Sequence, residues 1–499
     1  MMKKMNLLLT MFGLMTALLS CGGSDDDGGS DGADGKGSVV ISLRSQSISE
    51  GAEVDASTTD MLTLTYTATV KVVDNADITL NGQRLSARSS AATKTVVEIP
   101  LSLQEGTSYQ LRVAQGAIVS TTDSKSAAPA LTLNFKTRSQ KATDGHESAT
   151  EAVKNMIAGW NLGNTLDAWS SGISAGSATS AYETCWGQPV TEEYLMKKLS
   201  EKGFTAIRVP VTWMQHMDAS GTVDAAWMDR VEQVVQYVLN NGMYCILNVH
   251  HDTGADQSAW LKAESGSYAS SALKFKNLWT QIANRFKGYS DKLLFEGYNE
   301  MLTGSNPNAE WSQPKSLANL EYINKFAKDF VDAVRATGGN NQYRNLIVTT
   351  YSASHGDQTL SGLQIPTDPC GTQAHLAVEV HSYDPYNWVN TYNMQWTSEC
   401  SQELAGMFNR LNNYIISRGY PVIVGEYGSN GAEEKTINKN STDAQKAEAA
   451  KQAADMTRLC KQYGAAAFYW MGIVDGNDRK QASFRWSMEQ VADAIVNGK

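Results

Sequence analysis

Basic charge is in short supply: 42 Lys and Arg stand against 52 Asp and Glu, a net charge of −10. That balance excludes nucleic acid as an expected partner and leaves a neutral ligand open. Cysteine is scarce too. There are six, none arranged as Cys-x-x-Cys or in a His/Cys spacing of the metal-ligand type. No metal or other cofactor is therefore expected. After residue 21 no apolar run of membrane-spanning length occurs, so no transmembrane helix is expected there. Between residues 38 and 138 tryptophan is absent and tyrosine is limited to Tyr66 and Tyr109. A sugar-stacking surface is poorly supported in that stretch.

What is present is a chain of 499 residues with 42% hydrophobic content, long enough for two or more domains and a sizeable core. Lys3 and Lys4 precede an apolar run from Leu7 to Leu19, which has the build of a signal peptide over residues 1–20. The run ends Leu18-Leu19-Ser20-Cys21 and resembles a bacterial lipobox, which implies a lipid on Cys21. The Gly/Ser/Asp-rich tract at 21–37 cannot form a core and reads as a flexible tether. Its acidic cluster resembles the surface-export signal of Bacteroidota lipoproteins, which implies a membrane anchor on the outer face of the outer membrane. Of the other cysteines, Cys245 lies in an apolar strand and reads as a buried thiol. Cys370 and Cys400 lie in loop-like sequence and are candidates to pair after export.

From residue 38 to 138 short runs alternate at period two. Examples are Val39–Leu43, Leu62–Tyr66, Ile78–Leu80 before Asn81-Gly82, Val96–Ile99, Tyr109–Val113 and Leu131–Phe135. Such a layout predicts a small all-β sandwich. It resembles bacterial Ig-like domains, with a spacer role preferred over carbohydrate binding. Residues 139–151 are polar and read as a linker.

Beyond that, apolar runs alternate with helical patterns. Strands are expected at Ile157–Asn161, Ala206–Val209, Tyr244–Val249, Leu293–Asn299, Leu346–Thr349, Ala377–His381, Val422–Gly425 and Ala466–Trp470. Helices are expected at 192–202, 224–241, 271–287, 319–337, 403–418 and 442–462. This βα alternation predicts an α/β fold, a (β/α)8 TIM barrel over residues 152–499. In a barrel of that kind, functional groups come from the C-terminal strand ends. Those ends carry Asn161, Arg208, His250-His251, Asn299-Glu300, His381-Ser382-Tyr383, Glu426 and Trp470.

Two of these ends are carboxylates on otherwise apolar strands, Glu300 and Glu426. A carboxylate in that setting is costly unless paired or used, and two of them are what glycoside cleavage needs. If strand alternation runs on, Leu294, Glu296, Tyr298 and Glu300 share one face. A buried Glu296 then needs a partner. Arg208 is one candidate; alternatively Arg208 serves Glu426.

The ordered motifs Gly159-Trp160-Asn161-Leu162-Gly163-Asn164-Thr165-Leu166-Asp167, Glu183-Thr184-Cys185-Trp186-Gly187, Ile207-Arg208-Val209-Pro210, Leu247-Asn248-Val249-His250-His251, Phe295-Glu296-Gly297-Tyr298-Asn299-Glu300, His381-Ser382-Tyr383 and Gly425-Glu426-Tyr427-Gly428 resemble glycoside hydrolase family 5. Within it they look most like subfamily 4. The resemblance implies a retaining endo-β-1,4-glucanase, acting as a monomer on cellulose, xyloglucan or mixed-linkage glucan. It implies Glu300 as general acid/base and Glu426 as nucleophile. It further implies Asn161, Arg208, His250, His251, Asn299, His381, Tyr383, Trp470 and Trp186 around the substrate, while Trp213 fits substrate or core. The sequence departs from the family pattern at Met301 after Asn-Glu, at Asp252 after His251, and at Trp470-Met471-Gly472-Ile473. These departures touch loops that set specificity. A β-mannanase and a non-catalytic surface glycan-binding lipoprotein are the competing expectations.

Overall fold

A computed structural model describes residues 39–498, apart from 55, 57–58, 105–106, 138–144, 257, 305–313, 315, 371–372, 390–394 and 429–436. The expected signal peptide, Cys21, the tether and linker residues 139–144 lie outside the described residues. Among the described residues no helix is long and apolar enough to cross a membrane.

The first part is a small all-β domain. Its main sheets have four and five strands, with a two-stranded ribbon beside them. Alternation sets the faces: along Met61–Tyr66 every second residue is buried, and Leu62 and Leu64 meet Val97, Ile99, Leu111, Leu133 and Phe135 in one core. Asn81-Gly82 joins Ile78–Leu80 to Gln83–Arg84 with φ of 49° and 80°, the backbone of a two-residue type I′ hairpin turn. The first strand is Leu43–Gln46 rather than Val39–Leu43, because pairing with Met61–Tyr66 begins only at Leu43.

The second part is a closed parallel barrel of eight strands. They are β1 Gly159–Asn161, β2 Ala206–Val209, β3 Tyr244–Asn248, β4 Leu293–Glu296, β5 Leu346–Thr349, β6 Leu376–Ser382, β7 Val422–Tyr427 and β8 Ala466–Tyr469. Helices at Glu193–Lys202, Ala225–Asn240, Ser265–Arg285, Leu320–Ala336, Ser398–Tyr414 and Asp443–Tyr463 fill the expected intervals. Their apolar faces and the outward side chains of the strands form the large core that includes Trp213, Trp227, Trp279, Phe295 and Phe330.

The N-terminal mouth of the barrel is plugged. Ala149, Ala152, Val153 and Met156, on or just after the helix Ala149–Asn155, pack on Ala206, Ile246, Leu294, Ile347, Ala377, Ile423 and Phe468. Ser148 caps that helix in a capping box with Glu151. Residues 145–151 thus belong to the barrel, not to the linker, since Tyr244 also donates to Glu147 at 2.7 Å. Two residues further along each strand the interior turns polar: Ala206 gives way to Arg208, Ile246 to Asn248, Leu294 to Glu296 and Ala377 to Glu379, all buried. The period of two is what stacks this polar layer on the apolar floor.

One expectation fails here, and one open pairing is answered. Alternation lapses after β4, which ends at Glu296. Tyr298 points into the helix layer, its hydroxyl donating to the Ile323 carbonyl at 3.1 Å, so it does not share a face with Glu296. Cys370 and Cys400 are not paired. Cys400 is buried in the first turn of its helix, 3.6 Å from the Thr397 hydroxyl, while the Cys370 N–H donates to Asp368. Cys245 is the buried thiol expected, and burial pushes its ionisation far up.

Candidate active site

Arg208, at the end of β2, is the hub of the polar layer. Its guanidinium is fully buried and all five N–H donors have partners. Nε and Nη2 grip Glu296 at 2.6 and 2.8 Å. Nη2 also donates to Asn299 Oδ1 at 2.8 Å, and Nη1 to Asn161 Oδ1 and Glu426 Oε1, both at 3.0 Å. The two readings left open for Arg208 are therefore both true. A bidentate fork suits this task as a lysine would not. Glu296 is completed by Asn248, whose amide donates to it at 2.8 Å.

Glu426 reaches the interior through an irregularity. On β7 the pairing with β6 jumps from Val424↔Val380 to Glu426↔His381, leaving Gly425 as an extra residue. Such a bulge re-aims the next side chain. Without it, alternation from the inward Ile423 would turn Glu426 outward. Gly425 is required for a second reason: a Cβ there would lie 1.7 Å from Glu379 Oε1. Glu426 Oε2 accepts from the Tyr383 hydroxyl at 2.8 Å. Burial alone would raise the Glu426 pKa, but the charges of His381 and Arg208 and these hydrogen bonds outweigh it and hold it low.

Glu300 faces the same space from the loop after β4. Its Oε1 lies 2.7 Å from His381 Nδ1. Burial raises its pKa, and the negative charge of Glu426 adds to the rise against the pull of His381. Glu300, His381 and Glu426 each offer an atom within 4.8 Å of the other two. Burial opposes a charge on His381, yet Glu426, Glu300 and Glu379 together lift its pKa to about 10. The other ring nitrogen, Nε2, is 3.1 Å from Glu379 Oε1.

The rim is built from the partly exposed Trp470, His251 and Trp186 around the buried His250. Trp470 lies over Gly163, where a Cβ would come within 2.9 Å of the indole. Its ring is parallel to that of His250, with 5.8 Å between centroids. Asn248 fixes His250 through Nδ1 at 3.0 Å, and burial first, then neighbouring positive charge, keeps His250 neutral. His250 Nε2 is 3.9 Å from Glu426. His251 meets the exposed Trp186 edge to face at 5.2 Å, and the Trp186 N–H donates to the Trp169 carbonyl.

Glu300, Glu426, Asn299, His250, His381 and Tyr383 thus converge, with Trp470, His251 and Trp186 around them. Asn161 and Arg208 are corrected from substrate-binding to supporting roles. Both are fully buried, and the Asn161 amide donates to the Gly425 and Phe468 carbonyls. Trp213 is core, its indole N–H bonded to the Asn248 carbonyl at 3.0 Å. Glu379 went unnoticed, although its place two residues before His381 marks it as inward. Asp252 serves the loops by accepting from Trp213 N–H and the Trp260 indole. Asp167, His250 and His251 form another group of metal-ligand type. Asp167, however, accepts the N–H groups of Asn164 and Thr165, and His250 is engaged by Asn248.

A closed (β/α)8 barrel with two opposed carboxylates on its C-terminal rim is the build of a glycoside hydrolase. The family model for Cellulase (glycosyl hydrolase family 5) matches residues 170–474, and the chain belongs to that family. PbGH5A, a glycoside hydrolase family 5 enzyme from Prevotella bryantii B14, is 48% identical with a TM-score of 0.67, over 71% of this chain and 99% of that one. A mutant of it was solved with a xyloglucan tetradecasaccharide. XEG5A, a xyloglucan-specific endo-β-1,4-glucanase from a metagenomic library, is 32% identical with a TM-score of 0.60, over 70% and 98% of the two chains. Endoglucanase A of Clostridium longisporum is 32% identical over 363 residues, 70% of this chain and 66% of that protein. A third of that relative therefore has no counterpart in the match.

Proposed function

We propose that the chain is a retaining endo-β-1,4-glucanase, with xyloglucan foremost among its β-glucan substrates. The observation that carries this reading is the pair itself. One carboxylate oxygen of Glu300 and one of Glu426 lie within 4.8 Å of each other, and their surroundings push their pKa values apart. Inverting enzymes hold the two groups about 6.5–9.5 Å apart to admit a water, and retaining ones about 5–5.5 Å apart. Glu426, held ionised, attacks the anomeric carbon. Glu300, kept protonated, donates to the leaving oxygen. The glycosyl–enzyme removes the charge on Glu426, the Glu300 pKa falls, and Glu300 takes a proton from the attacking water. Asn299, its oxygen fixed by Arg208, offers its amide nitrogen to the sugar 2-hydroxyl, and Trp470 stacks under the ring before the cleaved bond. The xyloglucan oligosaccharide of PbGH5A supports the substrate choice.

Glu426→Gln tests the mechanism: hydrolysis should drop by about 10⁴-fold or more, and a variant as fast as the parent would remove Glu426 as nucleophile. Reducing-end release across xyloglucan, carboxymethylcellulose, lichenan and glucomannan tests the substrate, and a clear preference for mannan would replace the glucanase reading. The chain acts as a monomer held on the outer face of the outer membrane by lipid on Cys21, with the β domain as an Ig-like spacer. Labelling by fatty acid that persists in Cys21→Ser would refute the anchor.

A further inference from the structure

Glu379 takes no part in that scheme, yet it sits directly beneath it. It projects inward from β6, fully buried. Arg208 from β2 and Glu296 from β4 face it, His381 stands above it on its own strand, and Gly425 on β7 presents only backbone to it. Its Oε1 lies 3.1 Å from His381 Nε2 and 3.4 Å from Arg208 Nη2. Its Oε2 is buried with no partner. A buried carboxyl oxygen left unpaired is unfavourable, and the chain also gives up a side chain at Gly425 to admit the group. Arg208 does not need it, because its five N–H donors are already engaged.

The geometry constrains His381. One ring nitrogen, Nδ1, faces Glu300 at 2.7 Å, and the proton on a histidine is placed by the partner of its other nitrogen. Glu379 Oε1 also lies 3.4 Å from the Arg208 guanidinium, a group with no acceptor, and that positive charge holds Oε1 as an acceptor whether the carboxyl is ionised or carries its proton on Oε2. His381 Nε2 therefore bears hydrogen. We propose that Glu379 is a positioning residue for the acid/base step, accepting Nε2–H of His381 so that Nδ1 alone exchanges a proton with Glu300. The inference rests on Glu300 being the acid/base. In the first half-reaction the proton passes from Glu300 to the glycosidic oxygen. In the second it returns to Glu300 from water, and His381 ends the cycle unchanged.

The test compares Glu379→Met, Glu379→Gln and Glu300→Gln on xyloglucan and on a dinitrophenyl β-cellotrioside, whose leaving group needs no proton. The Met variant, which cannot accept, should lose about tenfold or more in kcat/KM on the polysaccharide and less than about threefold in the burst of dinitrophenol. Glu379→Gln, which still accepts, should recover most of that loss. Equal losses on both substrates, or a Gln variant as impaired as the Met one, would overturn the inference. If Glu300→Gln shows no such split between substrates, the acid/base reading has failed and this inference falls with it. Nitrogen-15 NMR of the parent enzyme gives a readout that needs no variant to fold: the His381 ring should keep its Nε2 proton. A ring protonated on Nδ1 alone would overturn the proposal.

Discussion

Arg208 Nη1 lies 3.0 Å from Glu426 Oε1 while Nε on the same guanidinium holds Glu296 at 2.6 Å. One planar group thus ties the proposed nucleophile to a carboxylate a layer deeper in the barrel. Lysine offers a point charge and no fork. Arg208→Lys should lower kcat on β-glucan by about 100-fold, as for loss of one charge-stabilising donor. Arg208→Leu should also destabilise the fold by about 3–5 kcal/mol, because it strands a buried carboxylate. Denaturant titration and steady-state kinetics measure the two effects separately.

Stability should decline as pH rises from about 5 to about 10. His381 is raised from 6.5 to about 10 by its carboxylate neighbours, so its contribution is whole below 6.5 and lost as pH climbs through 10. Glu379 is raised from 4.5 to about 8, by burial and then by the charge of Glu296, so its proton too is held more tightly in the folded state. That contribution is whole below 4.5 and gone above 8. Glu379→Gln removes one titrating proton, which flattens the slope between pH 5 and 8 by about 1.4 kcal/mol per unit at most. Thermal melts across that range decide it; an unchanged slope would mean that Glu379 ionises normally in the fold.

Gly425→Ala should be among the most damaging small substitutions in the barrel. The added methyl would sit 1.7 Å from Glu379 Oε1, so Glu379 must leave His381 or the bulge must shift and re-aim Glu426. Overpacking of this kind costs about 1–3 kcal/mol. The expected outcome is a lowered melting point together with a loss of kcat, rather than a change in KM alone.

The strand ends were legible because a parallel barrel buries both faces of each strand, and its polar residues then stand out against apolar runs. Arg208, Glu300, His381 and Glu426 were found that way. Glu379 was hidden inside a strand that was read only for its end, although alternation from Ala377 placed it inward. What period two cannot reveal is where the period breaks. The bulge at Gly425 and the turn after Glu296 each shift the face by one residue, through local backbone geometry that residue types do not encode. Asn161 and Arg208 were placed around the substrate, although Arg208 was also read as the partner of Glu296 or Glu426, for a related reason: a strand end can lie below the rim, and depth depends on the strand stagger of the closed barrel.

Trp470 and Gly163 carry the last expectation. The indole rests where a Gly163 Cβ would stand 2.9 Å away, and the Trp470 backbone N–H donates to the Tyr427 carbonyl at 2.8 Å. Trp470 is thus packed against Gly163, parallel to the His250 ring, and stays partly exposed. Trp470→Ala removes the platform, and Gly163→Ala tilts it while leaving every carboxylate in place. An aromatic side chain buried against a ligand is worth about 1.5–3 kcal/mol, so Trp470→Ala should weaken binding of a cello-oligosaccharide about tenfold to a hundredfold. Gly163→Ala should shift KM more than kcat. Calorimetry with the oligosaccharide on an inactive Glu426→Gln background isolates binding from turnover. Unchanged affinity in both variants would move the stacking surface away from Trp470, leaving Trp186, on the other side of His251, as the next aromatic to examine.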